Sequence, residues 1–184
     1  EAMPGARWFP GARLNFAEHL LGADDDLDAN ALIALGQTRD RIDLTFRELR
    51  EEVARARAGL QRLGIGRGDV VAAYLPNIPE TLVLFAATAS LGATFASCAP
   101  ELGSRSVIDR LVQLEPKVLF AVASYGYRTK TIDRREELAA IRAALPTLER
   151  VVDVPYGDQA IDDALPWSDV MAETGPLEFD QVPF

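Results

Sequence analysis

One cysteine and one histidine among 184 residues remove several kinds of chemistry at the outset. Cys98 has no partner for an internal disulfide, which suits a reducing compartment. His19 alone leaves a Cys/His zinc site without ligands, and a Ser-His-Asp reading would rest entirely on it. On a mostly apolar helix it reads as a packed or capping histidine. Lysine is scarce too: Lys117 and Lys130 are the only two, and every other cationic side chain is an arginine. No apolar run approaches the ~20 residues a membrane span requires, since the longest, Leu82 to Ala89, is far shorter. Excess positive charge is also missing. A net charge of −9 argues against non-specific binding to nucleic acid or anionic membrane, where a basic face supplies the attraction. Neither is an expected partner, and an anion could be held only by a local basic site. With no charged-then-apolar leader, a cytoplasmic location is expected.

What is present is an ordinary globular composition, 48 % hydrophobic and 26 % charged, in one domain or part of a larger one. The first residue is Glu1 and the last segment is "LEFDQVPF", and the expectation is a fragment of something longer. "RWFPGARLNFAEHLL" is aromatic-rich, and Leu14, Ala17, Leu20 and Leu21 can share one helical face. Trp8, Phe9 and Phe16 read as packing anchors. The acidic run Asp24–Asp26 with Asp28 lacks the glycine and terminal glutamate of a calcium loop and reads as a solvated linker. "ALIAL" and "IDLTF" predict a hairpin.

From Thr45 to Val154, helical and extended patterns alternate. Thr45 and Glu48 form a capping box. Phe46, Leu49, Val53, Ala56, Leu60 and Leu63 then make one apolar stripe, ended by Gly64. "DVVAAYLP" reads as a buried strand. Asn77 is the expected cap of the next helix, with Pro79 in its first turn. "ETLVLFAATASL" is apolar nearly all round and should be enclosed, with Gly92 ending it. "ATFASC", "SRSVIDRLVQLE" and "KVLFAV" continue the alternation. A polar loop, "ASYGYRTKTI", leads to the helix "DRREELAAIRAAL" and the strand "ERVVDV", and "WSDVMA" is a short helical turn. This order predicts an α/β fold, a doubly wound and mostly parallel sheet with flanking helices.

Gly64, Gly66 and Gly68 invite a phosphate-loop reading, but a phosphate loop follows a strand and opens a helix. Here the order is reversed, so Gly64 caps a helix and Gly66–Gly68 makes a turn. In open α/β sheets ligands sit beyond the carboxyl ends of strands, which selects "PNIPE", "SCAPELGSRS" and "SYGYRTKTIDRR". The last places Arg128, Lys130, Arg134 and Arg135 close together in an acidic chain. Arg134 and Arg135 fall where a helix begins and its dipole disfavours cations. Either an anion sits between them and the helix amides, or the loop is a solvated surface with Glu136 and Glu137 as partners. Cys98 stands at a strand end with no cationic partner in view and reads as a small buried hydrophobe.

The ordered set Leu44–Leu49 ("LTFREL"), Gly68–Val71 ("GDVV"), Pro76-Asn77 and Leu91–Ala93 ("LGA") resembles the opening of the adenylate-forming acyl-CoA synthetases. "WFPGARLNFAEHLL" is similar to the acetyl-CoA and acetoacetyl-CoA synthetase branch, and "SCAPELGSRSVIDRLVQLEPKVLFA" looks most like its acetoacetyl members. The likeness runs from Trp8 to Phe184. It implies that residues 1–28 are an N-terminal segment of that branch. Residues 29–184 would be the first α/β subdomain of the adenylation domain, stopping before the ATP loop.

The resemblance also implies a reaction. ATP and acetoacetate would form an acyl-adenylate with release of pyrophosphate, and the acyl group would pass to CoA, with Mg2+ in the full-length enzyme and no metal site in this chain. Acetate, propionate or another short acid is the alternative substrate, and a non-enzymatic α/β binding module is the alternative outside enzymes. Phe95, Ala96 and Ser97 would lie beside the CoA nucleotide, and Arg128 and Lys130 would meet a CoA phosphate. The relatives carry two arginines three residues apart where this sequence has Arg128-Thr129-Lys130 with Thr131 following. No catalytic residue falls within this chain, and neither lysine matches the catalytic one. The chain is therefore expected to be inactive alone and to need the remainder of the same polypeptide.

Overall fold

The computed structural model describes Gly5 and residues 9–22, 26–36 and 38–183. Trp8, Asp24 and Asp25, named above, lie outside the described residues.

A hairpin of β2 (Asn30–Ala34) and β3 (Ile42–Thr45) precedes the main sheet. Helix α2 (Phe46–Arg62) starts on the expected capping box, with the Thr45 hydroxyl accepting from the Glu48 amide and the Glu48 carboxylate accepting from the Thr45 amide. Its stripe Leu49, Val53, Ala56 and Leu60 is buried, because apolar residues repeating every three to four positions share a face. Gly64 follows the C-cap at φ 77°, in the left-handed region. The Gly64 amide donates to Gln61 and the Ile65 amide to Leu60, which satisfies two carbonyls of the last turn. Gly66 to Asp69 then forms a turn closed by Asp69 N–H on Gly66 O at 3.1 Å. These glycines precede a strand, as the order of the sequence requires, and are not at the ligand end of the sheet.

The five-stranded parallel sheet runs β10-β9-β6-β4-β5. It is built from β4 (Val70–Tyr74), β5 (Thr94–Cys98), β6 (Val118–Ala121), β9 (Arg150–Asp153) and β10 (Leu165–Pro166). Strand β10 was not expected from the sequence. It is two residues long, and Pro166, which has no amide proton, is tolerable because β10 is an edge strand.

Alternate residues face opposite layers. Val71, Ala73, Val118 and Phe120 join the core beneath α2 and α3 (Pro79–Ser90). Ala72, Tyr74, Leu119 and Ala121 join the core beneath α4 (Ser104–Leu111) and α5 (Arg135–Ala144). The N-terminal piece, β1 (Arg13–Leu14) and α1 (Phe16–Leu20), joins the first core through Ala17 and Leu21. Leu14 lies in β1 and is exposed, not on the helical face. There it pairs with β11 (Val182–Pro183) near the end of the chain. Asn15, buried, donates to the carbonyls of Ala89 and Asp180 and caps α1.

Four local expectations are corrected. Asn77 does not cap α3; the N-cap is Ile78, with no side-chain cap bond. Pro79 occupies N1 and forces the preceding residue out of the helical region, so Ile78 (φ −129°, ψ 161°) takes the cap position. "SYGYRTKTID" is not a polar loop but an antiparallel ribbon, β7 (Ser124–Tyr127) with β8 (Lys130–Asp133). His19 is exposed in the last turn of α1, not packed. Phe9 and Phe16 are largely exposed, although the Phe16 ring sits 5.4 Å from Phe85. The turn at "WSDVMA" is helix α6 (Trp167–Val170), as read.

Candidate functional site

From β4 the chain steps to β5 on one side and then to β6 on the other, so the strand order reverses between β4 and β6. At their carboxyl ends lies the topological switch point, where the connecting loops diverge and leave a crevice. The register is level: Cys98, Tyr74, Ala121 and Asp153 stand opposite one another across β5, β4, β6 and β9. Three groups of residues converge on this end.

The first is the loop after β5. Tyr74, fully buried at the tip of β4, places its hydroxyl 2.9 Å from the Pro100 carbonyl oxygen and 2.7 Å from that of Leu102. Burial pushes this phenol up to about 12, so it stays a neutral donor and pins the loop against the sheet. Phe95 faces the α3 layer, its ring centroid 5.6 Å from that of Phe85 and tilted at 49° to it. Ala96 packs toward α4, and Ser97 is exposed along the open side of the edge strand β5. Cys98 is buried as expected, and burial raises its thiol, with Arg110 opposing that rise. A cation therefore does stand near it, although burial decides the direction.

The second group is the β7–β8 ribbon, which begins three residues beyond Ala121. Tyr127 pairs with Lys130 across a two-residue turn, Arg128-Thr129. Arg128 sits at φ 55°, a conformation that costs a side-chain-bearing residue about 1 kcal/mol and that glycine or asparagine usually fills. Its guanidinium lies 5.6 Å over the Tyr127 ring. Arg128 and Lys130 are both exposed, and among the described residues neither has a carboxylate partner.

The third group decides between the two readings of Arg134 and Arg135 in favour of carboxylate partners. Arg134 is the N-cap of α5; its guanidinium pairs with Glu137 and reaches the Tyr125 hydroxyl at 3.2 Å. Arg135 is held by Asp133 at 2.6 Å, and the same carboxylate accepts from the Arg135 amide at 2.9 Å. These two cations are neutralised by the protein's own carboxylates, so the start of α5 does not call for an outside anion. The bonds from Arg135 hold the Asp133 carboxyl down at about 2.

Ser97 stands level with Phe120, two strand spacings or about 10 Å away across β4, and the ribbon leaves the same end of the sheet beyond β6. Of the four cations in "YRTKTIDRR", only the pair at the ribbon tip is unneutralised. Lys117 is elsewhere, bonded at 2.6 Å to Asp69 at the opposite end of the sheet. Among the described residues no group of three or more His, Cys, Asp and Glu could hold a metal ion, and no helix is long and apolar enough to cross a membrane.

Comparison with known proteins bears on the family and the fold. The chain is 41 % identical to acetoacetyl-coenzyme A synthetase of Rhizobium meliloti (strain 1021), over 100 % of its own length and 29 % of that protein's. It is 37 % identical to acetoacetyl-CoA synthetase of Rattus norvegicus, over 96 % of this chain and 28 % of that protein. The solved structure of acetoacetyl-CoA synthetase from Streptomyces lividans superposes with a TM-score of 0.89 at 45 % identity, covering 98 % of this chain and 28 % of that one. An acyl-CoA synthetase of Brucella canis shares the fold, with a TM-score of 0.75 at 21 % identity. The chain spans under a third of the length of each of the first three, 28–29 %. The AMP-binding enzyme family matches residues 23–181, and the chain belongs to that family.

Proposed function

We propose that this chain is part of an acetoacetate–CoA ligase and contributes the basic tip of its β7–β8 ribbon to the coenzyme surface. In the reaction, a carboxylate oxygen of acetoacetate attacks the α-phosphorus of ATP and pyrophosphate leaves. The CoA thiol sulfur then attacks the acyl carbon of the adenylate, AMP leaves, and the thiol proton passes to solvent. No reacting atom is assigned to this chain. Mg2+ would enter with ATP, and no step given to these residues runs through it. The first 28 residues are kept as an N-terminal segment of the synthetase branch, and residues 29–184 as the first subdomain of the adenylation domain.

The observation that carries the reading is the contrast within one loop: Arg134 and Arg135 are matched by carboxylates, while Arg128 and Lys130 are exposed and unmatched. They stand at the end of the sheet where ligands bind. A guanidinium and an ammonium two positions apart suit a phosphate group, the first by its planar fork and the second as a point charge. The left-handed backbone at Arg128 supports a role beyond surface charge, because strain of this kind persists only where the surroundings hold it. Ser97, exposed on β5, would flank the nucleotide, whereas Phe95 would act through packing on Phe85.

The acyl assignment follows the names of the relatives and is tested by substrate choice. The full-length protein, given ATP and CoA, should release pyrophosphate with acetoacetate well above the rate with acetate or propionate. Equal or greater turnover with acetate would move the assignment to a short-chain synthetase, and no turnover with any acid would favour a binding module. The 184-residue chain by itself should form no acyl-adenylate.

A further inference from the structure

A two-stranded ribbon is marginally stable by itself, so the direction in which Arg128 and Lys130 point depends on what grips β7 and β8 behind the tip. One grip comes from α5: Tyr125 is held by the Arg134 guanidinium, which lies 5.3 Å over its ring. The other comes from an element that the proposed reaction leaves unused, the turn between β2 and β3. Gly126 shows the contact: a Cβ placed there would lie 2.5 Å from the Thr38 Cγ2 methyl. The bare backbone of Gly126 is thus the seat of the Thr38 side chain. Strand alternation puts Gly126 and Tyr125 on opposite faces, so the ribbon is clamped on both sides two residues before Arg128.

The β2–β3 turn is itself fastened. The Arg39 Nη1 donates to both carboxylate oxygens of Glu80 at 2.8 and 3.0 Å, and its Nη2 donates to the Pro155 carbonyl. The guanidinium also lies 4.8 Å over the Tyr156 ring. Thr38 Oγ1 donates to the Tyr156 hydroxyl at 3.2 Å. This ties the turn to the start of α3 and to the loop after β9, both at the carboxyl end of the sheet. Charge-assisted bonds from a partly buried guanidinium are among the stronger local anchors.

We infer that Thr38 and Arg39 are positioning residues: they hold the β7–β8 ribbon so that Arg128 and Lys130 meet the coenzyme's phosphate. This rests on the coenzyme reading proposed above and adds a residue pair that does not touch the ligand. Ordering one long side chain in advance is worth about a 3- to 10-fold change in binding.

The test uses the full-length protein and two readouts: the KM for CoA in thioester formation, and ATP–pyrophosphate exchange without CoA. Arg39→Ala should raise the KM for CoA about 3- to 10-fold. Exchange should stay within about twofold of the parent, and Arg39→Lys, which keeps charge but loses the fork, should fall between. Gly126→Ala should have the same signature by pushing the Thr38 methyl away, and it serves if Arg39→Ala fails to fold. In an Arg128→Ala/Lys130→Ala background the Arg39→Ala effect on CoA should vanish, since nothing is left to orient. An effect that adds in full there, or an equal loss of exchange, would overturn the positioning role. If Arg128→Ala/Lys130→Ala leaves the KM for CoA unchanged while Arg39→Ala raises it, the coenzyme reading of the tip fails. The positioning inference then falls with it.

Discussion

Replacing Gly59 with alanine inside α2 should destabilise the protein, although the same change in an exposed helix stabilises by about 1 kcal/mol through backbone entropy. A Cβ built on Gly59 falls 2.2 Å from the Val170 carbonyl oxygen and 2.5 Å from Val170 Cγ1. Relief to ordinary van der Waals distance requires α6 to retreat by roughly 1 Å. That helix is not free to move. The Arg62 Nη2 bonds to the carbonyls of Asp169 and Val170 at 3.1 and 3.0 Å, and Trp167 packs edge-on against Phe120 at 5.9 Å. Overpacking costs about 1–3 kcal/mol, and weakening a bond from a charged donor costs about 1.5–3 kcal/mol. Setting the propensity gain against these leaves a net loss of about 1.5–5 kcal/mol. For a protein of this size that lowers Tm by on the order of 3–20 °C. Thermal unfolding followed by circular dichroism reads the sign directly. A Tm equal to or above the parent's would show that helix propensity outweighs the contact, and the described packing of α2 on α6 would be wrong.

Two carboxylates give opposite pH signatures. Asp133 is depressed to about 2 from 3.8 by its bonds from Arg135. Its contribution is therefore complete above about pH 4 and lost as pH falls toward 2. Asp133→Asn should show a shallower fall in urea midpoint across that window, and an unchanged slope would mean the pair contributes nothing. Asp153 is raised by burial, against a smaller lowering from the Ile161 amide. Its ionised form is a cost that appears as pH rises above the unfolded value. Asp153→Asn keeps an acceptor for that amide and should raise the urea midpoint at pH 7; a lower midpoint would contradict the assignment.

The readily legible elements were those whose period and end signals agree. In α2 the apolar offsets, the Thr45–Glu48 box and Gly64 all mark the same helix, and each appears as written. The central parallel strands β4 and β6 are buried on both faces, so the short apolar runs "VVAAY" and "VLFA" announce them. The ribbon was missed for the converse reason. Its strands "SYGY" and "KTID" carry no apolar alternation, and Arg128-Thr129 lacks the glycine or asparagine that marks a tight hairpin. Strand β10 was missed because two residues cannot show a period. The basic loop was half legible. Sequence spacing gathered the four cations, but only the fold shows which are neutralised. Asp133 reaches Arg135 through a local bond, whereas the grip of Thr38 on Gly126 joins residues distant in the chain, which no spacing rule reveals.

The central claim is that the exposed pair at the ribbon tip serves the coenzyme. Arg128→Ala/Lys130→Ala in the full-length protein, titrated with CoA, tests it most directly. Losing one charge-assisted phosphate contact should weaken CoA binding by about tenfold or more, with ATP–pyrophosphate exchange largely retained. CoA affinity equal to the parent's would make the tip plain surface and contradict the account.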